Sequence, residues 1–307
     1  MPLDPRAKRL IDMLAMSAPA SPITTAARRE GFAKLMAMGA KSPAIARSED
    51  IHIPGPGGPL RLRLYDPVSD RQVPAPALVF YHGGGLVAGS IETHDAICRT
   101  LAIAMNAMVV SVDYRLAPEA RFPAALEDAA FAVNWLGEHG TGLNIDTARI
   151  AIGGESAGAL LSALIAEGVR PLTAKIRAQL LLCPVIDLGG DFPSRREFAQ
   201  GFMIDIATVD HDIADCLGPG QTVSALPSPL RDGSPGGVPP TIIVAAECDP
   251  FRDEAAAYAA HIGNAGVPVR HVCHSGMVHS FYGLSALLPQ AAPALREAGE
   301  ALAALLD

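Results

Sequence analysis

Residues 149–164 read RIAIGGESAGALLSAL: an apolar run, a serine between glycines, and a second apolar run. This pattern predicts a strand, a sharp turn centred on Ser156 and a helix. A serine at such a turn must adopt a strained backbone conformation, and Gly154 and Gly158 would remove the crowding that side chains create there. Because G-x-S-x-G is a loose pattern, an ordinary glycine-rich turn is an equal alternative until the rest of the chain is considered.

Short apolar runs alternate with helical patterns along most of the chain. A period-two pattern spans Ile51 to Leu64, interrupted by a turn at 54–59. The strands expected after it are Ala77–Tyr81, Ala107–Val112, Arg149–Ile152, Gln179–Cys183, Thr241–Ala246 and Val267–Val272. The helices expected between and after them are Glu92–Met105, Pro123–Glu138, Ala157–Glu167, Phe251–Asn264 and Leu284–Leu306. This alternation predicts an α/β fold with a mostly parallel sheet covered on both faces and a site at the carboxyl ends of the strands.

Two parts of the chain fall outside this alternation. The N-terminal part has helical patterns at about 3–16 and 26–38, separated by a segment that contains Ser and Pro, and residues 187–237 contain no strand pattern. We therefore expect a helical cap made of residues 1–45 and of an insertion at 188–237. The core would then comprise residues 46–187 and 238–307.

Composition excludes several classes of function. A formal charge of −8 on 307 residues, with scattered Lys and Arg, argues against nucleic acid as a partner. No apolar run reaches the roughly 18 residues of a membrane span, and the N-terminal stretch lacks the apolar segment of a signal peptide, so we expect a cytoplasmic protein. Five widely spaced cysteines without a C-x-x-C pair argue against a disulfide framework or a structural zinc site.

A glycine-rich loop follows the first strand of the alternating part. His82 is followed by Gly83, Gly84 and Gly85 directly after an apolar run. Three bare glycines let backbone N–H groups approach a developing negative charge, so Gly83, Gly84 and the amide of Ala157 are expected to form an oxyanion hole. The alternative is a flexible loop, which the downstream G-x-S-x-G makes the weaker interpretation.

An acid and a base for Ser156 are found downstream. Asp249 follows the strand at 241–246, and His279 follows the last strand. A serine needs a base to take its proton and a carboxylate to orient that base, and the order Ser, Asp, His is that of α/β-hydrolases. His82 is expected to orient the glycine loop rather than to transfer a proton. His271 and His274 are expected to be structural.

These motifs together resemble the hormone-sensitive lipase family of esterases. They are, in order, His82 to Gly85, Asp113 to Glu119 with Phe122 to Ala125, the Ser156 turn, Asp249 to Glu254, and Gly276 to His279. The resemblance runs from about Ile51 to the C-terminus. It implies an α/β-hydrolase fold with a helical cap from the N-terminus and an insertion after the sixth strand, and hydrolysis of carboxylic esters without cofactor or metal. By position it makes Ser156 the nucleophile, Asp249 the acid and His279 the base.

The chain departs from the family pattern at three places. Glu155 stands where Asp is usual, which keeps the carboxylate and predicts little loss of function. Cys183 stands where Tyr is frequent, which predicts a wider or drier pocket. The cap insertion is short, so substrate preference transfers least well. Arg115 and Glu119 in the second motif are expected to fix loops beside the elbow through buried ion pairs.

We therefore predict a serine carboxylesterase for short- to medium-chain esters, with a small-molecule ester as its partner. Residues expected to line the substrate pocket, each with core packing as an equal alternative, are Phe32, Met36, Leu86, Met203, Ile204 and Val209. Two alternatives remain open: a hydrolase of amides or lactones on the same residues, and a ligand receptor without turnover, which the presence of His279 disfavours. A homodimer through an edge strand near 267–272 is a further expectation.

Overall fold

A computed structural model describes residues 3–16, 24–39 and 42–307. The Ser- and Pro-containing segment between the first two helices lies outside the described residues. None of the helices in the described part of the chain is long and apolar enough to cross a membrane.

One sheet forms the centre of the molecule. Its strands are β1 (Arg47–Gly55), β2 (Gly58–Asp66), β3 (Ala75–Tyr81), β4 (Met108–Val112), β5 (Ile145–Glu155), β6 (Ile176–Leu182), β7 (Thr241–Cys248) and β8 (Val269–Val278). Their order is β1-β2-β4-β3-β5-β6-β7-β8. The β1–β2 and β2–β4 pairs are antiparallel and the remaining pairs are parallel. The predicted mostly parallel sheet is confirmed.

Helices cover both faces of this sheet. The α-helices are α1 (Pro5–Met16), α2 (Thr25–Ala37), α3 (Asp95–Met105), α4 (Ala124–His139), α5 (Ala157–Ala166), α6 (Pro193–Glu197), α7 (Ile206–Leu217), α8 (Pro229–Asp232), α9 (Arg252–Asn264) and α10 (Ala291–Leu306). Short 3-10 turns lie at Gly140–Leu143, Val223–Ala225, Pro235–Gly237 and Phe281–Leu284. Helices α3 and α10 pack together on one face, and α4, α5 and α9 pack on the other. Buried on both faces, β3 and β4 consist almost entirely of apolar residues, as central parallel strands do.

Several predicted boundaries differ from the structure, two of them for identifiable reasons. The last helix begins at Ala291 rather than at Leu284, because Pro289 disfavours helical backbone at the residue before it. The turn expected at 54–59 is reduced to Pro56 and Gly57, since the strands pair as far as Gly55 and Gly58.

The insertion between β6 and β7 holds α6, α7 and α8 and no strand. Helix α7 begins only at Ile206, because Gly201 and Met203 before it have positive φ angles that an α-helix does not allow. The fold class, an α/β-hydrolase sheet with helices from the N-terminus and from an insertion after the sixth strand, is confirmed.

The two N-terminal helices occupy different places. Helix α1 lies beside β8, where the Asp4 amide donates to the Gly276 carbonyl at 3.0 Å, and Ala7 and Leu10 are buried in the core. Helix α2 lies instead against α7, joined to it by a hydrogen bond of 2.6 Å from Thr25 Oγ1 to Asp215 Oδ2. Only α2, of these two helices, contributes to the site described below.

Candidate active site

The turn between β5 and α5 is held by close backbone contacts. Ser156 has φ 55° and ψ −117°, and its amide donates to the Leu182 carbonyl at 2.9 Å. A Cβ at Gly158 would come within 2.1 Å of the Tyr81 carbonyl oxygen, and one at Gly154 within 2.4 Å of the Gly158 carbonyl carbon. Glycine is therefore required on both sides, and the crowding inferred from the sequence is present.

Three side chains from different strand ends meet at this turn. His279 Nε2 lies 2.8 Å from Ser156 Oγ, and His279 Nδ1 lies 2.8 Å from Asp249 Oδ2. Because an ionised carboxylate only accepts, Nδ1–H donates to Asp249, which leaves Nε2 to accept the serine proton. The other Asp249 oxygen accepts from the Phe251 amide at 2.8 Å, which fixes the carboxylate plane. In this arrangement the imidazole can take the serine proton, while the carboxylate stays ionised, orients the ring and stabilises the imidazolium.

The electrostatics around His279 favour its protonated form. Burial alone would lower the pKa of this histidine, but the charge of Asp249 and the hydrogen bond to it, with a further contribution from Glu155, leave the pKa raised. An imidazolium formed when the serine gives up its proton is thus stabilised inside a buried site.

The glycine loop places its amides differently from the prediction. The Gly83 amide donates to His94 Nε2 at 3.0 Å, so it points away from the cavity. Among the described residues, the amides of Gly84, Gly85 and Ala157 donate to no protein acceptor, and all three residues line the cavity beside Ser156. The prediction of Gly84 and Ala157 agrees with this geometry. For Gly83 it is corrected to Gly85, because His94 occupies the first amide.

His94 and Glu155 support this arrangement from behind. His94 Nε2 lies 3.2 Å from Glu155 Oε2, and the other Glu155 oxygen accepts from the Ser280 hydroxyl, next to His279. Burial would raise the pKa of Glu155, yet the neighbouring His94 and His279 and the hydrogen bond from Ser280 outweigh this effect, and the pKa is lowered. A carboxylate is therefore retained here. Nothing in the sequence singled out His94, since it lies eleven residues from Gly83 at the start of a helix.

His82 has a structural environment. Its Nδ1 lies 2.8 Å from the Gly83 carbonyl oxygen, and its ring stacks on Tyr114 with centroids 4.2 Å apart. Burial lowers the pKa of His82 to about 3, and neighbouring His94 adds to this effect. A neutral, enclosed imidazole fits the predicted role of orienting the loop.

A cavity of about 490 Å³ opens on Ser156. Its wall is mostly aliphatic and aromatic and comes from α2, α7, the glycine loop and the insertion. The predicted residues that line it are Phe32, Leu86, Met203, Ile204 and Val209. Met36 does not line it: this side chain packs against Gly283, where a Cβ would meet its Cε at 2.3 Å. The prediction for Met36 is corrected, because this side chain is buried in the core, whereas its neighbour Leu35 lines the cavity.

Cys183 also differs from expectation. It lies beneath the triad and not in the cavity wall, with its Sγ, an Asp249 oxygen and a His279 nitrogen all within 4.8 Å of one another. Burial raises the pKa of the thiol well above its ordinary value, so it is a neutral neighbour of the acid. Because Cys183 does not line the cavity, its own side chain does not set the width of the pocket.

The charged residues of the second motif have separate roles. Arg115 Nε lies 2.8 Å from the buried Asp128, as a loop-fixing ion pair requires. The Glu119 side chain is 65% exposed and pairs with Arg29 of α2 at 2.6 Å. The predicted buried pair therefore holds for Arg115 but not for Glu119, which ties the loop to α2 at the surface.

Similarity to known proteins identifies the family of this chain. A sequence profile described as α/β-hydrolase fold matches residues 78–283. The chain belongs to the α/β-hydrolase family. Within this family it is 37% identical over 265 residues to esterase LipI of Mycobacterium tuberculosis, covering 85% of this chain and 82% of that protein. Carboxylesterase NlhH of the same organism is 39% identical over 236 residues, covering 75% and 73%.

Solved structures extend the similarity to nearly the whole chain. An ester hydrolase from the metagenome of Lake Arreo, solved with a bipyridine phosphonate derivative, is 33% identical with a TM-score of 0.92 and covers 98% of both chains. An esterase from Pyrobaculum calidifontis is 37% identical with a TM-score of 0.89, covering 100% of this α/β-hydrolase and 98% of that chain. The resemblance to the hormone-sensitive lipase family is confirmed.

Proposed function

We propose that this α/β-hydrolase is a serine carboxylesterase whose nucleophile is Ser156. The observation that carries the proposal is the hydrogen-bonded chain from Ser156 through His279 to Asp249, with 2.8 Å at each contact. This chain lies at an apolar cavity, beside backbone amides that donate to no described protein acceptor. Its similarity to proteins named esterase and carboxylesterase supports the same reaction.

In the first half-reaction, Ser156 Oγ attacks the ester carbonyl carbon while His279 Nε2 accepts the hydroxyl proton. The carbonyl oxygen becomes an oxyanion, which the backbone amides of Gly84, Gly85 and Ala157 stabilise by donating hydrogen bonds. His279 then gives its proton to the leaving alkoxide, and the alcohol departs from an acyl-serine. A water molecule, deprotonated by His279, then attacks the acyl-serine, and the carboxylic acid product is released as Ser156 regains its proton.

The cavity supports the predicted range of substrates. At about 490 Å³ it is large enough for short and medium acyl chains, and its aliphatic wall favours them over charged groups. We propose that α2 and residues 188–237 form the cap over a core of 46–187 and 238–307. The expected cap at 1–45 is narrowed in this way because α1 packs beside β8.

Active-site labelling tests the nucleophile. Wild type is expected to react with a fluorophosphonate and to hydrolyse p-nitrophenyl butyrate, and Ser156→Ala should lose both, with kcat lower by about 10⁶. Ser69→Ala, which changes an exposed serine far from the triad, is the matched control and should keep both. Labelling that persists in Ser156→Ala would refute the assignment.

A substrate series defines the reaction class. p-Nitrophenyl esters from acetate to dodecanoate, tested beside matched amides and lactones, should show highest kcat/KM for short- or medium-chain esters. A preference for an amide or a lactone would replace the ester function with the alternative hydrolase on the same triad. Binding without turnover would favour a receptor.

A homodimer through β8 belongs to the same proposal. Among the described residues this strand is the last in the sheet. Its Gly276 carbonyl accepts from Asp4, but the outer edge at 269–272 pairs with no other described strand, so a second copy could meet its backbone groups. Gel filtration with light scattering at micromolar concentration should give twice the chain mass, and a monomer there would contradict it. A proline at the exposed His271 should abolish such a dimer.

A cytoplasmic location is also proposed, supported by five free thiols, one of which is the exposed Cys273. Cell fractionation with an antibody against the chain tests it, and recovery outside the cytoplasm would contradict it.

A further inference from the structure

An ion pair interrupts the apolar wall of the cavity. Arg28 of α2 and Asp212 of α7 both line it, with side chains only 11% and 5% exposed. Arg28 Nη2 donates to Asp212 Oδ2 at 3.1 Å, and Nε lies 3.2 Å and 3.3 Å from the two carboxylate oxygens. Charges are costly to bury, and a pocket that bound only alkyl chains would gain nothing from them.

One N–H donor of Arg28 has no described hydrogen-bond partner. Arg28 Nη1 makes no hydrogen bond with any described residue, whereas Nε and Nη2 are both used by Asp212. The guanidinium lies 5.2 Å from the centroid of the Phe32 ring, which also lines the cavity, so its orientation is held on two sides. The pair thus leaves one N–H donor without a described protein partner on a residue that lines the cavity.

This donor lies close to the expected position of the reacting carbonyl. Asp212 packs against Gly85, where a Cβ would come within 1.9 Å of Asp212 Oδ2. The positive charge of Arg28 is also near enough to His279 to lower its pKa against the effect of Asp249. A substrate atom that reaches Arg28 is therefore only a few bonds from the scissile carbonyl.

We propose that the Arg28–Asp212 pair is a polar subsite that binds a neutral acceptor oxygen of the ester substrate, such as an ether, keto or hydroxyl oxygen close to the scissile carbonyl. The proposal rests on the esterase function above. A carboxylate is not the expected ligand, because Asp212 already balances the charge of Arg28. A pure alkyl chain in the same place leaves the Nη1–H donor desolvated without a partner, which lowers its kcat/KM relative to an oxygenated chain.

Pairs of substrates in which one CH₂ is exchanged for oxygen test this subsite. Ethyl 3-methoxypropanoate with ethyl pentanoate places the oxygen in the acyl part, and 2-methoxyethyl butanoate with butyl butanoate places it in the alcohol part. The readout is the oxygenated-to-alkyl ratio of kcat/KM for each pair. Because the intrinsic reactivity of each ester is the same for every enzyme variant, changes of this ratio between variants report on binding by the protein.

The informative variant is Arg28→Met with Asp212→Leu, which removes both charges and leaves neither unpaired. We expect its ratio to fall about tenfold below wild type for at least one of the two pairs. Arg28→Lys, which keeps a cation beside Asp212 but lacks the second terminal nitrogen, should lower the same ratio and serves if the double variant does not fold. Arg29→Met changes the adjacent arginine, which binds Glu119 and two carbonyl groups outside the cavity wall, and should keep the wild-type ratio.

The outcomes separate the two proposals. Ratios that stay at the wild-type value for both pairs in active Arg28 variants would overturn the polar subsite and leave the esterase function standing. Absence of hydrolysis of all four esters by wild type would overturn the esterase function, and the subsite with it.

Discussion

The floor and the roof of this site are built in different ways. The floor carries Ser156, Asp249 and His279 at the ends of β5, β7 and β8, whose backbones are fixed by the hydrogen bonds of one sheet. The roof comes from α2 and α7, which meet through side chains such as Arg28 and Asp212. A backbone ladder positions reacting atoms with little dependence on side-chain identity, whereas a side-chain interface changes with each substitution. Chemistry should therefore depend on the floor, and selectivity on the roof.

The largest expected effect is on the floor. Asp249→Asn keeps the shape of the acid but removes the charge that holds the His279 tautomer, so kcat should fall by about 10⁴. Asp253→Asn, which changes a neighbouring carboxylate bonded to Arg252 and Ser194, is the control and should keep most activity. Stopped-flow or steady-state kinetics on p-nitrophenyl butyrate measure both. Equal losses in the two variants would contradict the assignment of the acid.

A smaller loss is expected where floor and roof touch. Gly85 has φ +70°, and a Cβ there would meet Asp212, so Gly85→Ala should displace an oxyanion donor and lower kcat by about 10²–10³. Gly142→Ala, at a glycine with open space around it, is the matched control. If Gly85→Ala retained full kcat, the placement of the oxyanion hole on Gly85 would be wrong.

The pH profile tests the charges that surround His279. This base works only when neutral, so kcat/KM should fall about tenfold per pH unit below its pKa. Because that pKa is raised, the acid limb should lie above the ordinary value of a histidine, near 6.5. Glu155→Gln removes one of the charges that raise it and should move the acid limb to lower pH. A limb that does not move would show that Glu155 has no electrostatic effect on the base.

The smallest effect on rate is expected on the roof. Phe32→Ala enlarges the cavity and should shift the preferred acyl length, with changes of kcat/KM that stay within about a hundredfold. Met36→Ala, one helical turn further, should leave this preference unchanged and lower the free energy of unfolding by about 2–5 kcal/mol, because it empties a core site. An acyl-chain series measures the substrate preference of both variants, and denaturant unfolding measures their stability. A shift of acyl preference in Met36→Ala would place this residue in the pocket after all.

The features that could be predicted from the sequence are those with a local pattern in the chain. The strands of the parallel sheet, the elbow at Ser156 and the order of Asp249 and His279 were all accessible, because apolar runs, glycines and strand ends have local signatures. The geometry then brought the three predicted side chains within hydrogen-bonding distance. Helix ends were less accurate, as the shift from Leu284 to Ala291 illustrates, since the effect of Pro289 competes with a continuous apolar pattern.

Side-chain partners distant in the chain were not accessible. The choice between Gly83 and Gly85 depends on His94, and no local pattern reveals that an imidazole eleven residues away accepts the first amide. The position of Met36 beside Gly283, and that of Asp212 opposite Arg28, depend on how two helices rotate against the sheet and against each other. Periodicity indicates that a helix has an apolar face but not which part of that face meets a cavity.

By itself, the sequence determined the α/β architecture and the three residues proposed for the chemistry, because strand periodicity and a strained glycine-flanked turn are local properties. Tertiary structure decided which amides face the cavity, which cap residues line it and where the polar pair lies within it. The physical reason is that these features arise from contacts between segments tens to hundreds of residues apart, such as the 184 residues that separate Arg28 from Asp212.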